Sequence, residues 1–132
     1  MIVDFVEILK FETIAPYIMS NDKLYDLDFV NEMAGGNQEF VQQLLTLFIQ
    51  TVPESVKLIN KYYEENDLNS LGKEAHKLKS TINTVQIPSF IDKIKDMEMI
   101  GKTGDGVERL PQLMEDFNQV IPTAVEQVKS EL

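Results

Sequence analysis

The residue of this chain best suited to chemistry is its single histidine, His76, in the segment Ala75-His76-Lys77-Leu78-Lys79-Ser80. Near pH 7 a neutral imidazole nitrogen can act as a nucleophile, or as a general acid or base, while it stays exposed to solvent. The segment is basic, although the whole chain has 22 acidic and 12 basic residues and a net charge of −10. The histidine therefore lies in a locally basic segment of an acidic chain.

Helical periodicity places this histidine at the edge of a buried stripe. The apolar residues around it recur every three or four positions: Leu71, Ala75, Leu78, Ile82 and Val85. Because a helix turns ~100° per residue, His76 lies at or outside the edge of that stripe. Its face is shared, at helical spacing, by Lys73, Lys79, Ser80 and Asn83. These residues could surround a group attached to the ring, but a solvated face whose lysines balance an acidic surface would look the same.

The elements around this helix are also predicted to be helical, since strand signals are nearly absent. A short helix over residues 28–34 should end at Gly35-Gly36, and Asn37 fits the N-cap of a long helix. Pro53 should bend that long helix unless tertiary packing tolerates the lost hydrogen bond. Asp67 can cap the helix that carries the histidine.

Two more helices are predicted towards the C-terminus. Pro88 and Ser89 open the first, which should end near Gly101. The second has Pro111 near its start and Pro122 inside it, which predicts a late start and a kink. Four long helices with short loops and one apolar stripe each predict an antiparallel up-and-down four-helix bundle, to which the short helix adds a cap.

Length and composition limit the organisation and the partners of the chain. Its 132 residues suit one packed domain, predicted over residues 25–132, after an N-terminal extension over residues 1–24 that is a helix or an ordered arm. The net charge of −10 disfavours nucleic acid and anionic membranes. The absence of cysteine excludes disulfides and thiolate metal sites. No segment approaches the ~20 apolar residues of a membrane span, so membrane insertion is not expected. We also expect the chain to be cytoplasmic and monomeric.

Three segments together resemble histidine-containing phosphotransfer (HPt) domains of multistep two-component signalling. They occur in the order and at the spacing of that family: Tyr25-Asp26-Leu27, Gly35-Gly36-Asn37-Gln38-Glu39-Phe40 and Ala75-His76-Lys77-Leu78-Lys79-Ser80. The resemblance covers about residues 25–130, and its most specific element is His-x-Leu-Lys followed by a small residue. It implies a four-helix bundle in which His76 accepts a phosphoryl group from a receiver-domain aspartyl phosphate and passes it to another receiver aspartate.

The resemblance also implies roles for the neighbours of His76. Lys79 matches the lysine that the family places beside the phosphoryl group, and Lys77 matches a less constant basic position suited to docking. Glu98 corresponds to a Gln or Glu that hydrogen-bonds one ring nitrogen and leaves the other free to attack. Lys73, Ser80 and Asn83 are expected around the phosphate or the docked receiver. The family often has glycine at the positions of two residues, Ser80 and Gln86.

Partners and cofactors follow from the same resemblance. It implies receiver domains and a hybrid sensor kinase as partners, no cofactor of the chain's own, and Mg²⁺ supplied by the receiver. The receiver should dock on the His76 face together with the exposed flank of the preceding helix. A phosphotransfer intermediate without kinase or hydrolase activity is expected, because a glycine-rich nucleotide loop and paired Glu-x-x-His motifs are missing. The alternative is a helical adaptor that docks receiver or kinase domains without transferring phosphate.

Overall fold

The computed structural model describes residues 23–132, which form five α-helices and no strand. The helices are α1 (Asp28–Ala34), α2 (Gln38–Glu64), α3 (Leu68–Val85), α4 (Pro88–Thr103) and α5 (Leu110–Lys129), and a 3-10 helix over Val107–Arg109 directly precedes α5. The all-α prediction is confirmed for these residues. The predicted extension over residues 1–24 lies outside the described part of the chain, apart from Lys23 and Leu24.

Side chains cap the two helices that lead to the site, as the sequence predicts. The Asn37 side chain accepts a hydrogen bond from the backbone N–H of Phe40 at 3.1 Å. The Asp67 side chain accepts one from the N–H of Ser70, also at 3.1 Å. Each cap satisfies an N–H group that the first turn of a helix leaves without a partner. The starts of α2 and α3 are therefore determined locally.

The prolines inside the long helices do not end them. Pro53 lies within α2 and Pro122 within α5, and both helices continue past them. Pro111 lies in the first turn of α5, where the missing N–H would have no helical partner in any case. A 3-10 turn comes before that proline, and α5 begins only at Leu110, consistent with the predicted late start.

The core is formed by the inward faces of the four long helices. All five residues of the predicted α3 stripe are buried, and so are Phe90, Ile94 and Met97 of α4. In α2 the buried residues are Val41, Leu45, Phe48, Val52 and Ile59. The spacing of apolar residues along α2 also predicts that Phe40, Leu44, Val56 and Tyr63 face inward, but these four are only half-buried. The buried face of α2 is thus rotated slightly from the one that the spacing predicts, and Leu44 borders the core beside the buried Leu45.

Two glycines, one on α3 and one on α4, let these helices approach closely. A Cβ atom added to Gly101 would lie only 2.4 Å from the Cα atom of Gly72. The helix ends two residues beyond the predicted position near Gly101. It continues to Thr103, and Gly104, with a φ of 77°, ends it. Gly101 serves helix packing rather than termination, because only a residue without a side chain lets the two backbones touch.

Specific polar contacts join the remaining pairs of neighbouring helices. Asn60 of α2 and Asn118 of α5 exchange two amide hydrogen bonds of 2.8 and 2.9 Å. Lys93 of α4 forms an ion pair with Asp116 of α5 at 3.0 Å. The α2–α3 contact includes a hydrogen bond from the Ser55 hydroxyl. Each long helix therefore packs against two others, and α5 lies on the opposite side of the bundle from α3.

In the turn after α3, Gln86 has a backbone conformation that suits glycine, the residue that the resemblance leads us to expect there. Gln86 has a φ of 56°, in the left-handed region that costs a non-glycine residue about 1–2 kcal/mol. Two backbone hydrogen bonds hold the turn, since the Asp26 N–H donates to the carbonyl of Val85 at 3.1 Å and to that of Gln86 at 2.9 Å. Glutamine therefore adopts a backbone conformation suited to glycine, and α4 still begins at Pro88.

Candidate functional site

His76 lies on the outer face of α3 and is held by one ring nitrogen. Its side chain is 66% exposed, and its Nδ1 atom is 2.5 Å from Oε2 of Glu98. Glu98 lies on α4, one turn before Gly101, and His76 lies one turn after Gly72. The glycine contact thus brings the two helices close enough for a carboxylate on one to reach an imidazole on the other.

The same carboxylate also binds a lysine. Oε1 of Glu98 is 2.8 Å from Nζ of Lys79, while Oε2 faces the imidazole. The Glu98 side chain is only 17% exposed and that of Lys79 28%, so this ion pair is partly shielded from water. Glu98 therefore contacts both His76 and Lys79. The three residues for which the resemblance predicts a direct role lie together.

The contact with Glu98 determines where the imidazole proton lies. An ionised carboxylate can only accept hydrogen bonds, so Nδ1 must be the protonated nitrogen of the ring. In the neutral imidazole the other nitrogen, Nε2, then has the lone pair. Among residues 23–132, none donates to Nε2. The free nitrogen of an exposed ring is therefore the one available to attack an electrophile.

Hydrogen bonds from two neighbouring side chains keep Glu98 ionised. The hydrogen bond from Lys79 lowers the pKa of Glu98 below its ordinary value, although burial opposes the shift, and the hydrogen bond from His76 lowers it further. A carboxylate with a lowered pKa remains an acceptor at neutral pH. The tautomer with Nδ1 protonated is therefore favoured whenever the ring is neutral.

Replacing Glu98 with glutamine is expected to lower stability at neutral pH but not in acid. Because the folded pKa of Glu98 is lowered, the carboxylate contributes stability above its ordinary pKa of 4.5, and this contribution is lost as pH falls through the lower folded value. Denaturant unfolding of wild type and Glu98→Gln should show a difference in unfolding free energy at pH ~7 that narrows below pH ~4. A difference of equal size at both pH values would contradict this prediction.

The other predicted site residues are exposed but differ in their contacts. The Lys77 side chain forms an ion pair with Oε1 of Glu74 at 3.6 Å. Lys73 lines a depression beside His76. Ser80 and Asn83 are exposed, and among the described residues no side-chain hydrogen bond joins either of them to His76. The structure thus brings His76, Lys79 and Glu98 together, and the roles of all seven residues stay predictions.

Several residues near His76 were missed by sequence reasoning. Glu74 is 7% exposed and accepts a hydrogen bond from the Ser55 hydroxyl at 2.8 Å, which ties Lys77 indirectly to α2. Lys102 lines the depression beside His76 and lies one turn after Glu98. Its i+4 spacing from Glu98 was a signal that could have identified it.

The described residues contain neither a metal-binding cluster nor a membrane-spanning helix. Within residues 23–132, no group of three or more His, Cys, Asp or Glu side chains is placed to hold a metal ion. None of the helices in that range is long and apolar enough to cross a bilayer.

Comparison with known proteins identifies one matching family. The family model described as "Hpt domain" matches residues 43–131, which is more than half of the chain. The matched range begins inside α2 and includes the whole of α3, α4 and α5. Neither the curated proteins nor the solved structures that were searched gave a match.

Proposed function

Because the chain belongs to the Hpt domain family, whose members carry out histidine phosphotransfer in phosphorelays, we propose that His76 is its phosphoacceptor. In this proposal His76 takes a phosphoryl group from the aspartyl phosphate of one receiver domain and passes it to the aspartate of another. The observation that carries the proposal is the Glu98 contact to Nδ1, since it leaves Nε2 as the nucleophile of an exposed ring. A hybrid sensor kinase with its own receiver domain would be one source of the phosphoryl group.

The proposed step needs only a lone pair and a leaving group. Nε2 attacks phosphorus in line, the N–P bond forms, and the P–O bond to the aspartyl carboxylate breaks as that carboxylate leaves with the bonding electrons. Nδ1 keeps its proton, so the phosphorylated ring is cationic when it forms. The Glu98 carboxylate, 2.5 Å from Nδ1, stabilises this positive charge more strongly than it stabilises the neutral ring.

Lys79 is proposed to balance the negative charge on the phosphoryl oxygens. Its ammonium group binds Oε1 of the carboxylate whose Oε2 contacts the imidazole, and this contact holds a cation close to the ring. Magnesium and the acidic residues that hold it are proposed to come from the receiver. The carrier then supplies the nucleophile, one positioning carboxylate and one cation.

The direct test is phosphoryl transfer from purified receiver domains of the source organism. Each receiver is phosphorylated with radiolabelled phosphate and mixed with the chain. At least one should give a label on the chain that is labile in acid and stable in alkali, and that maps to a peptide containing His76. Adding a second receiver should remove the label. Binding of receivers without any labelling would favour the adaptor alternative.

Truncation of Glu98 should slow transfer without stopping it. Glu98→Ala removes the charge-assisted hydrogen bond to Nδ1, and such bonds contribute about 1.5–3 kcal/mol. If only part of this energy is specific to the transition state, the single-turnover rate should fall about tenfold. Glu98→Gln is the matched control, since it keeps an acceptor without the charge and should fall between wild type and alanine. Equal rates for all three proteins would exclude a role for Glu98.

A further inference from the structure

Beside His76, the glycine contact leaves a depression between α3 and α4. It has a volume of about 500 Å³, and its lining includes Gly72, His76 and Glu98. The depression runs from the imidazole towards the start of α3 and the end of α4.

The rim of this depression is positively charged, in contrast to the rest of the chain. Lys73, Lys77 and Lys102 line it, and the only acidic side chain in the lining is Glu98. The Glu98 carboxylate is already bound by Lys79 and His76. Within residues 23–132 neither Lys73 nor Lys102 forms an ion pair, although Asp67 attracts Lys73 at longer range. With three lysines and one carboxylate in the lining, the rim has a net positive charge beside His76.

We propose that this depression receives an acidic loop of the receiver domain, next to the receiver's phosphorylated aspartate, and that Lys73 and Lys102 bind its carboxylates. The inference rests on the proposed function. A chain with a net charge of −10 repels an anionic partner at long range, so close approach needs a local cationic surface. A second copy of this chain is disfavoured as the occupant by the same net charge.

Docking in the depression extends the contact surface of the receiver onto α4. The docking face expected from the sequence includes His76 and the exposed flank of α2. The depression extends it to the other side of the imidazole, onto the last turns of α4. Lys102, which sequence reasoning did not single out, then becomes a residue that determines which receivers bind.

The test is charge reversal at the rim, measured with two phosphoryl donors. Lys102→Glu should lower kcat/KM for transfer from a phosphorylated receiver about tenfold at low ionic strength, mainly through KM, and salt should reduce the difference. Labelling of His76 by the small donor phosphoramidate should fall far less. Lys73→Glu should act in the same direction. Lys129→Glu makes the same charge change on α5, across the bundle from α3, and should leave receiver transfer near the wild-type value.

The possible outcomes separate this inference from the proposed function. If a receiver labels wild type and Lys102→Glu equally well, the docking inference is overturned and the proposed function stands. Equal losses in Lys102→Glu and Lys129→Glu, or equal losses with receiver and phosphoramidate, also overturn it, because they indicate net charge or a damaged site. If no receiver labels wild type, the proposed function fails, and the docking inference fails with it.

Discussion

His76→Gln is expected to abolish phosphoryl uptake from a phosphorylated receiver and to leave the bundle folded. A glutamine amide nitrogen is not nucleophilic, because its lone pair is delocalised into the carbonyl group. Removal of the nucleophile from a covalent transfer lowers the rate by at least about 10³-fold. The His76 side chain is 66% exposed and the glutamine amide can still donate to Glu98, so its replacement should change the unfolding free energy by no more than about 1 kcal/mol.

The measurement combines labelling with a check of the fold. Circular dichroism and denaturant unfolding should match wild type, while acid-labile label should be undetectable under conditions that fully label the wild-type chain. Glu98→Ala is the matched comparison at the same site, because it should take up label slowly but completely. Acid-labile label on folded His76→Gln protein would show that another residue is the acceptor.

Local sequence signals were enough to predict the helices that carry this site. Asn37 and Asp67 cap α2 and α3 because each side chain bonds an N–H group three residues later. The α3 stripe follows from spacing alone, so the exposed position of His76 could be predicted from its phase relative to Ala75 and Leu78. The prediction depends only on distances along one helix.

The contact between helices could not be predicted in the same way. A glycine inside a helical pattern weakens the helix, so Gly101 indicated an end. Its function depends on Gly72, 29 positions earlier in the chain, and no local rule connects the two. The burial of Glu74 and the position of Lys102 beside His76 depend on the same packing of α3 against neighbouring helices.

Gly101→Ala is expected to reduce stability and to disturb the site at the same time. The added Cβ would lie 2.4 Å from the Cα of Gly72 and 2.6 Å from the carbonyl oxygen of Leu68, and neither backbone atom can move without moving α3. Overpacking typically costs about 1–3 kcal/mol, and a rigid backbone neighbour places this site at the upper end. The higher helix propensity of alanine offsets this cost by about 1 kcal/mol. The net loss of unfolding free energy should be about 2 kcal/mol.

Alanine substitutions at Gly72 and Gly101 should differ in their effect on stability. A Cβ on Gly72 would meet Gly101 at 3.0 Å, so Gly72→Ala should destabilise the protein less than Gly101→Ala. Lys102→Ala, at the exposed position next to Gly101, should change stability by no more than about 0.5 kcal/mol. Urea unfolding of the three variants measures this order.

Gly101→Ala should also weaken the contact between Glu98 and the imidazole of His76. Separation of α3 and α4 moves Glu98 away from His76 and Lys79, so Gly101→Ala should lower the transfer rate at least as much as Glu98→Ala does, about tenfold or more. The Nδ1–H resonance of His76, observed by NMR in the folded protein, should shift or exchange faster. Full stability with an unchanged resonance would mean that the helices can separate by the width of a methyl group without effect. If stability is lost but transfer by the remaining folded protein is normal, the glycine contact stabilises the bundle without positioning Glu98.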